Sequence, residues 1–449
     1  MKESLILEIQ DKISINDMEI LKVLLKDLYA ADIAELIDEL SKDEIKVLIP
    51  IIPVDKLAYS LAELDFDDKH TILNLLAPKE LKIILDNMYA DDIADLLGPL
   101  SIGKSKELLK LMKKEDAEQI QNLLGYDEDS AGGIMTTEYI AIKEGKTVRD
   151  ALNIIRDIAR EAEMIYYIYV VSQTKELMGV LSMRELITAS PEARIKDLIQ
   201  KKVINVRLDL DQEEVARIIS KYDLLAVPVV NHKKQLLGII TVDDIIDVIE
   251  EEATEDIYKM AATTEVDFDD ENNTIVKASL KRSPWLIVLL FASILSGSVI
   301  DVFSDLLNTV VALALFMPTL AGTGGNAGTQ SLAIVVRGLA TGDLNTKDLR
   351  EHLFNEVKVG SLVATICGLI IGLVALVWQG NYMLGVVVGL AMFCNILSAT
   401  FVGTTTPFIL NYLGIDPAVA AGPFITTVID ASGLFIYFSL ARLFLPYLT

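Results

Sequence analysis

The sequence predicts a multi-domain protein with an all-α, solenoid-like N-terminal domain, an α+β tandem pair, and a five-helix α transmembrane domain. Charged residues are frequent up to Arg282 and rare after it, although 52% of the whole chain is apolar and the mean hydropathy is +0.41. Two internal repeats with offsets of about 60 residues subdivide the charged part. The predicted domains are residues 1–127, 135–197 and 198–257, a connecting (plug) helix at 258–282, and a membrane domain at 283–449.

The charge balance restricts the class of partner. The formal net charge is −25, and the residues after Arg282 contribute eight acids and five bases, which leaves −22 on residues 1–282. A strongly acidic region disfavours nucleic acid and anionic lipid as partners and favours cations. Both cysteines, Cys367 and Cys394, fall in apolar segments, so we expect no disulfide framework. The N-terminus has no basic start before an apolar core, so we expect no signal peptide.

The N-terminal region reads as helices only. Apolar residues recur every three or four positions in "ADIAELIDELSKDEIKVLIPII" (31–52), and "YAADIAEL" (29–36) returns as "YADDIADL" (89–96). This short helical repeat predicts a small α-solenoid. Asp91, Asp92 and Asp95 cluster at one helix start, where they either stabilise the helix N-terminus or bind a metal.

The pattern changes at about residue 135. "YIYVVSQTKELMGVLSMRELI" (167–187) aligns with "AVPVVNHKKQLLGIITVDDII" (226–246), and each unit reads as a strand, a turn, a second strand after a glycine (Gly179 or Gly238) and a helix start. Further helices are predicted before them, at 147–159 and 211–222. These paired β-α-β-β-α units resemble a tandem pair of cystathionine-β-synthase (CBS) domains, which are regulatory modules.

The second unit ends in "TVDDIIDVIEEEATEDI" (241–257), which contains eight acids and no base. Asp244, Asp247, Glu251 and Glu255 have helical spacing, at which like charges repel. The segment is either a solvated helix face or a surface that binds a divalent cation, and we favour cation sensing.

Five segments are long enough to cross a bilayer. They span residues about 284–303, 310–336, 357–378, 383–408 and 417–442. Basic residues precede the first span and separate the second from the third, whereas the loops after the first and third spans have none. The positive-inside rule therefore predicts a cytoplasmic N-terminal region and a C-terminus outside.

The second span contains "FMPTLAGTGGNAGTQ" (316–330), which is unusual for a lipid-facing helix. One interpretation is helix packing through small residues, since Gly324 and Gly328 form a small-xxx-small pair. The other is an irregular or close-packed backbone that lines a water-filled path. The two interpretations are compatible.

Asp430 is the only charged residue between Pro417 and Ala441. A carboxylate at the centre of a membrane helix costs about 2.5–3.5 kcal/mol on insertion scales, so it is functional by default. Thr426 and Thr427 lie one turn before it, which places oxygens on one helix face. The chain has three dispersed histidines and no metal-spaced cysteines, and oxygen ligands suit Mg²⁺, which binds through one or two carboxylates and keeps several waters.

The combination of these parts resembles an MgtE-type magnesium channel/transporter. The resemblance covers essentially the whole chain and rests on "YDEDSAGGIMTTEY" (126–139), the CBS units, "EEEATEDI" (250–257), "GTGGNAGTQ" (322–330) and "TTVIDASGLFIY" (426–437). It implies a homodimer in the plasma (inner) membrane with a pore between the second and fifth spans. The Mg²⁺ positions that it implies along the pore are Asp430, Asn326, Thr426, Gly422 and Asp416. Gly422 and Thr329 depart from the family pattern, which has Asn at the first and can have Asn at the second.

The charge of −22 on residues 1–282 leads to the hypothesis of feedback inhibition by cytosolic Mg²⁺, and the resemblance implies the positions of the sensor. The matching sensor positions are Asp91, Asp95, Asp211, Glu213, Asp223, Asp244, Asp247, Glu252, Glu255 and Asp256. ATP is a further regulatory ligand of some members, for which Tyr167 and Arg184 are the candidate contacts.

Three alternatives stay open at this point. The protein could transport another hard divalent cation such as Mn²⁺, Co²⁺ or Ca²⁺, or it could be a membrane-anchored Mg²⁺ or nucleotide sensor without transport. A sensor would not need a carboxylate in a membrane helix beside a glycine-rich span, which favours a pore. An enzyme is the least favoured reading, since the sequence shows no nucleophile–base pair and no phosphate-binding glycine loop.

Overall fold

The computed structural model describes residues 3–64, 66–159, 162–261, 263, 274–344, 347, 349–419 and 422–448. The chain forms two compact units, Met1–Val248 and Ile249–Thr449. The boundary between the two units falls within a single helix.

The first unit begins with ten short helices that bury leucine and isoleucine. They are α1 Glu3–Ser14, α2 Met18–Asp27, α3 Ala30–Asp38, α4 Lys42–Leu48, α5 Val54–Glu63, α6 Phe66–Leu75, α7 Pro78–Leu85, α8 Ala90–Leu97, α9 Ile102–Leu109 and α10 Lys114–Leu123. The two copies of the sequence repeat form α3 and α8, each starting after an extended tyrosine. Helix α3 packs on α5, and α8 packs on α10.

Two three-stranded sheets of identical topology follow. Their strands are β1 Ala141–Lys143, β2 Tyr167–Val171, β3 Leu177–Ser182, β4 Val206–Arg207, β5 Ala226–Val230 and β6 Leu236–Thr241. In each sheet the first strand is parallel and the third antiparallel to the central one, with Tyr169 opposite Val180 in the first sheet and Pro228 opposite Ile239 in the second. The helices around them are α11 Val148–Ile158, α12 Met183–Thr188, α13 Ile195–Leu198, α14 Gln212–Tyr222 and α15 Val242–Met260.

The predicted start of the second strand in each unit is wrong by three residues. Gly179 and Gly238 lie inside β3 and β6 rather than before them. The reason is a close approach of neighbouring backbone, because a Cβ on Gly238 would lie 2.5 Å from the carbonyl oxygen of Thr136.

The second unit consists of the end of α15 and further helices. These are α16 Thr274–Val302, α17 Ser304–Thr309, α18 Met317–Ala340, α19 Leu349–Gln379, α20 Tyr382–Tyr412, α21 Gly422–Leu443 and α22 Leu445–Leu448, with 3₁₀ turns at Val311–Phe316 and Pro417–Val419. Within the described part of the chain, four helical segments are long and apolar enough to cross a membrane, namely Arg282–Val302, Leu349–Gln379, Tyr382–Tyr412 and Gly422–Leu443.

Helix α18 is the predicted second span but is not among these four. It has 24 residues, which is long enough, and its glycines, threonines and asparagine make it less apolar than the others. The count of five spans therefore stays a prediction. The predicted connecting helix at 258–282 is described only in part, since residues 262 and 264–273 lie outside the described residues.

The helices around Asp430 approach one another through glycines. Helix α18 packs against both α20 and α21. A Cβ on Gly403 would lie 2.2 Å from the carbonyl oxygen of Gly328, and a Cβ on Gly324 would lie 2.4 Å from the Asn395 amide nitrogen. Because α18 is a continuous helix, its glycine-rich stretch is close-packed rather than irregular.

Candidate pore and acidic sensor sites

Asp430 lies in the middle of α21, on the side that faces α18. One of its carboxylate oxygens, Oδ1, is buried and has no hydrogen-bond partner within the described part of the chain. A Cβ on Gly325 would lie 3.5 Å from this oxygen, so the glycine leaves open the space in front of it. A buried carboxylate oxygen without a donor is costly and suits a ligand that supplies positive charge.

Other predicted pore residues follow the same α18–α21 seam. Thr426 contacts the Cβ position of Gly325 at 3.3 Å, and its hydroxyl donates to the Pro423 carbonyl at 2.8 Å, which leaves the hydroxyl oxygen able to accept. Gly422 lies at the start of α21, where Thr329 of α18 is 3.4 Å from its Cβ position. Asn326 is exposed on α18, next to Gly325.

Asp416, the remaining predicted pore residue, lies before α21 and is bound within the protein. Its Oδ2 accepts from the Lys259 ammonium at 2.7 Å, and its Oδ1 accepts from the Ala418 backbone N–H at 2.8 Å. The same ammonium contacts Glu255 at 2.6 Å. The structure thus brings Asp416 together with the acidic end of α15 rather than with Asp430.

A second carboxylate cluster lies within the first unit. Asp91 of α8, Glu163 and Asp244 of α15 each place a carboxylate oxygen within 4.8 Å of the others, a spacing that could hold a metal ion. Asp91 is only 8% exposed, and its Oδ1 has no hydrogen-bond partner among the described residues; the same holds for Glu163 Oε2. The cluster joins residues from the N-terminal helices and from both CBS units.

Burial and neighbouring carboxylates raise the pKa values of the acids in and beside this cluster. Burial raises the pKa of Asp91 well above its ordinary value, and neighbouring carboxylates raise it further. Burial and then the Asp244 charge raise the pKa values of Asp92 and Glu163 to about 7. Burial raises that of Asp244 to about 6, although hydrogen bonding by Thr241 opposes the shift. A divalent cation would relieve this repulsion directly.

Sequence reasoning missed Glu163 as a member of this cluster. The residue lies between α11 and β2 in "EAEMIYY", where no acidic periodicity or repeated motif marks it. Only the fold brings it beside Asp91 and Asp244.

The other predicted sensor residues are dispersed within the structure. Asp211 caps α14 by accepting from the Glu213 N–H at 2.9 Å, and Glu213 forms an ion pair with Arg217 at 2.9 Å. Asp223 ends the same helix with a φ of 48°, so it lies at the opposite end from Asp211. Asp95 is exposed on α8. Asp247, Glu252 and Asp256 lie on α15 with Glu255.

The predicted nucleotide contacts lie in the first CBS unit. Tyr167 begins β2 opposite Ser182 of β3, and Arg184 follows two residues later in α12. The two side chains therefore belong to neighbouring backbone positions at one end of the sheet.

A carboxylate oxygen without a donor among the described residues, between close-packed apolar helices, is typical of a membrane protein that transports cations. Family models match at residues 317–440 ("Divalent cation transporter"), 28–129 ("MgtE intracellular N domain"), and 131–192 and 195–251 ("CBS domain"). The chain is 38% identical to the magnesium transporter MgtE of Bacillus subtilis, covering 94% of this chain and 96% of that one. It is 39% identical to the MgtE of Thermus thermophilus, with 99% of each chain covered.

The chain belongs to the MgtE family of magnesium transporters, which are not enzymes. Among solved structures, the cytosolic domain of the Mg²⁺ channel MgtE in complex with ATP is similar at a TM-score of 0.52 and 38% identity, covering 54% of this chain and 99% of that one. The soluble part of a magnesium transporter is similar at a TM-score of 0.51 and 35% identity, covering 56% and 99%.

Proposed function

We propose that this protein is a Mg²⁺-selective channel of the plasma membrane that closes when cytosolic Mg²⁺ binds its acidic domains. The observation that carries the pore is the buried Asp430 Oδ1, which has no donor among the described residues and lies 3.5 Å from the Cβ position of Gly325. A lone carboxylate with nearby hydroxyl and carbonyl oxygens suits hydrated Mg²⁺ better than it suits a metal that prefers nitrogen or sulfur ligands.

Transport along this seam requires α18 to act as a fifth span. Its 24 residues correspond to a length of about 36 Å, which exceeds the hydrocarbon thickness of a bilayer. Its polar and small residues line the path with α21, and it also packs against α20. We propose that two copies of the chain form the pore as a homodimer.

The gating part of the proposal rests on the cluster of Asp91, Glu163 and Asp244. At low Mg²⁺ the buried acids repel one another, and two charges about 4 Å apart interact by roughly 4 kcal/mol at an effective dielectric near 20. Mg²⁺ turns this repulsion into a bridge between α8 and α15. The ion shifts the equilibrium by its differential affinity for the compact state, which is the closed one.

ATP is proposed as a second regulatory ligand of the CBS pair. The similar cytosolic domain was solved in complex with ATP, and it is 38% identical to this chain. Tyr167 and Arg184 are the residues that we propose contact the nucleotide.

A flux assay in proteoliposomes tests the pore. We expect Mg²⁺ uptake by the wild-type protein and loss of uptake or of Mg²⁺ selectivity in Asp430→Asn, because the amide carries no charge. Asp305→Asn, which neutralises an exposed acid of the same unit, is the matched control and should transport normally. Asp430→Lys should block transport, since a fixed ammonium would occupy the site. Selective, near-normal Mg²⁺ uptake by Asp430→Asn would contradict the assignment.

The same assay separates the alternatives. Uptake of Mn²⁺, Co²⁺ or Ca²⁺ in preference to Mg²⁺ would indicate a channel for another hard divalent cation. Mg²⁺-dependent protection of the cytosolic region without uptake of any ion would indicate a sensor that does not transport.

A further inference from the structure

Lys259, in the last turn of α15, joins two parts of the second unit through its ammonium group. The ammonium contacts Glu255 Oε1 of its own helix at 2.6 Å and Asp416 Oδ2, just before α21, at 2.7 Å. The Lys259 side chain is 29% exposed and that of Asp416 is 38% exposed, so the pair is partly shielded from water. Asp416 is itself fixed in place, because its other oxygen accepts from the Ala418 N–H.

The neighbouring Met260 places apolar contacts beside this ion pair. It packs against a buried cluster that includes Leu332 and Val336 of α18 and Ile425 and Ile429 of α21. The Met260 carbonyl oxygen lies 3.3 Å from the Cβ position of Gly422, the first residue of α21. The last turn of α15 therefore covers the ends of the two helices between which Asp430 lies.

We propose that Lys259 is a positioning residue that holds the end of α15 on α18 and α21 and thereby favours the closed state even without Mg²⁺. This inference rests on the proposed gating, in which α15 transmits closure. The ion pairs of Lys259 stabilise the closed state in a way that the acidic cluster does not. Mg²⁺ acts on carboxylates that repel one another, whereas Lys259 is an ammonium already carried by the chain. Part of the closing free energy then remains at zero cytosolic Mg²⁺.

The test compares wild type, Lys259→Met and Lys259→Arg by current recording from excised patches with EDTA on the cytosolic face. Met retains the length and apolar stem of lysine but not its charge, so packing beside Met260 is kept. We expect the open-to-closed ratio of Lys259→Met to rise about fivefold, as for a partly shielded ion pair. Lys259→Arg should stay close to wild type, and Lys259→Met should need more cytosolic Mg²⁺ for half-inhibition.

Salt provides a readout that loss of packing would not move. The difference between wild type and Lys259→Met should shrink when monovalent salt rises from about 0.05 to 0.5 M, because screening weakens a partly exposed ion pair. An unchanged open-to-closed ratio in Lys259→Met, or a shift of its half-inhibition to lower Mg²⁺, would overturn the proposal. The latter result would make Lys259 a competitor of Mg²⁺ for Asp416 and Glu255. A wild-type current that does not respond to cytosolic Mg²⁺ would instead refute the proposed gating itself.

Discussion

At the scale of single residues, glycines determine how closely the helices around Asp430 pack. Gly403 of α20 faces the backbone oxygen of Gly328 in α18, and no side chain can move aside to admit a methyl group there. At Gly328 itself, the shortest contact of a Cβ would be with the end of the Ile429 side chain, at 2.2 Å, and the nearest backbone atom, the Ala399 carbonyl oxygen, would lie at 3.4 Å.

We therefore expect Gly403→Ala to destabilise the membrane domain by about 1–3 kcal/mol, because α18 and α20 must separate. Thermal unfolding of the full chain in detergent measures the effect, and a drop of several degrees is expected. Gly297→Ala is the matched control, since a Cβ at this membrane-helix glycine meets nothing within 4 Å. Equal melting temperatures for the two variants would show that the close approach is not required.

Glu163 is the residue that the structure adds to the proposed Mg²⁺ sensor, beside Asp91 and Asp244. We expect Glu163→Gln to weaken Mg²⁺-dependent protection of the cytosolic region against trypsin by about tenfold or more, because a carboxylate near the ion is lost. Glu176→Gln changes an exposed acid of the same CBS unit and should behave as wild type. Wild-type Mg²⁺ dependence in Glu163→Gln would remove this residue from the site.

The signal that marks Asp430 is local, namely one charge in an apolar run that is long enough to span a membrane, and its place in a pore stays a prediction. The proximity of Glu163 to Asp91 and Asp244 could not be predicted from sequence, because it depends on three segments that meet only in the folded chain. Lys259 was equally hidden, since nothing near it in sequence identifies Asp416 as its partner.

At the scale of elements, the packing of α8 against α15 should depend on pH. The pKa values of Asp92 and Glu163, about 7, and of Asp244, about 6, lie above their ordinary values of 3.8, 4.5 and 3.8. The folded state therefore holds more protons than the unfolded chain. The stabilisation of the folded state by these bound protons is fully present below about pH 4 and is lost as the pH rises through about 6–7.

Without Mg²⁺, we expect the cytosolic region to resist trypsin better at pH 6 than at pH 8. The affinity for Mg²⁺ should be lower at pH 6 than at pH 8, because the ion must displace protons at pH 6. Half-protection should therefore need roughly five- to tenfold more Mg²⁺ at pH 6. The measurement is a titration of tryptic protection with Mg²⁺ at pH 6 and at pH 8. The activity of trypsin at the two pH values is first matched on an unfolded substrate. A Mg²⁺ midpoint that does not move with pH would contradict bridging by these acids.

Element types were predictable wherever one periodicity dominated. The helices at 147–159 and 211–222 were predicted correctly as α11 and α14, since apolar spacing and the capping residues Thr147 and Asp211 agree. The predicted strand starts after Gly179 and Gly238 were wrong. A glycine usually marks a turn, whereas here each glycine lies inside a strand and allows the backbone of a neighbouring segment to approach closely. Helix α18 is hard to classify as a span because the residues that suit it to a transport path also lower its hydropathy.

At the scale of the whole molecule, the odd number of proposed spans places the two chain ends on opposite sides of the membrane. A small epitope tag at the C-terminus should be reached by antibody from outside intact cells, and one at the N-terminus only after permeabilisation. Permeabilised cells give the control for both tags. Two tags exposed on the same side would require an even number of spans and would exclude α18, or another helix, from crossing.

In the proposed gating, a small ion acts on the charge of −22 that residues 1–282 carry. Repulsion among these acids opposes compaction until a divalent cation binds, and several sites that act together make the response steep. Substituting Asp244, Asp247 and Glu255 together by Asn, Asn and Gln should therefore uncouple closure from Mg²⁺ while leaving Asp430 and the transport path unchanged.

The most direct test of the proposed gating is the current through the wild-type protein and this triple variant while Mg²⁺ is titrated on the cytosolic face. We expect the wild-type current to fall steeply as cytosolic Mg²⁺ rises, and we expect the triple variant still to conduct at Mg²⁺ concentrations that close the wild type. If the triple variant closes at the same Mg²⁺ concentration as the wild type, the acids of α15 do not sense Mg²⁺ and the proposed gating is wrong.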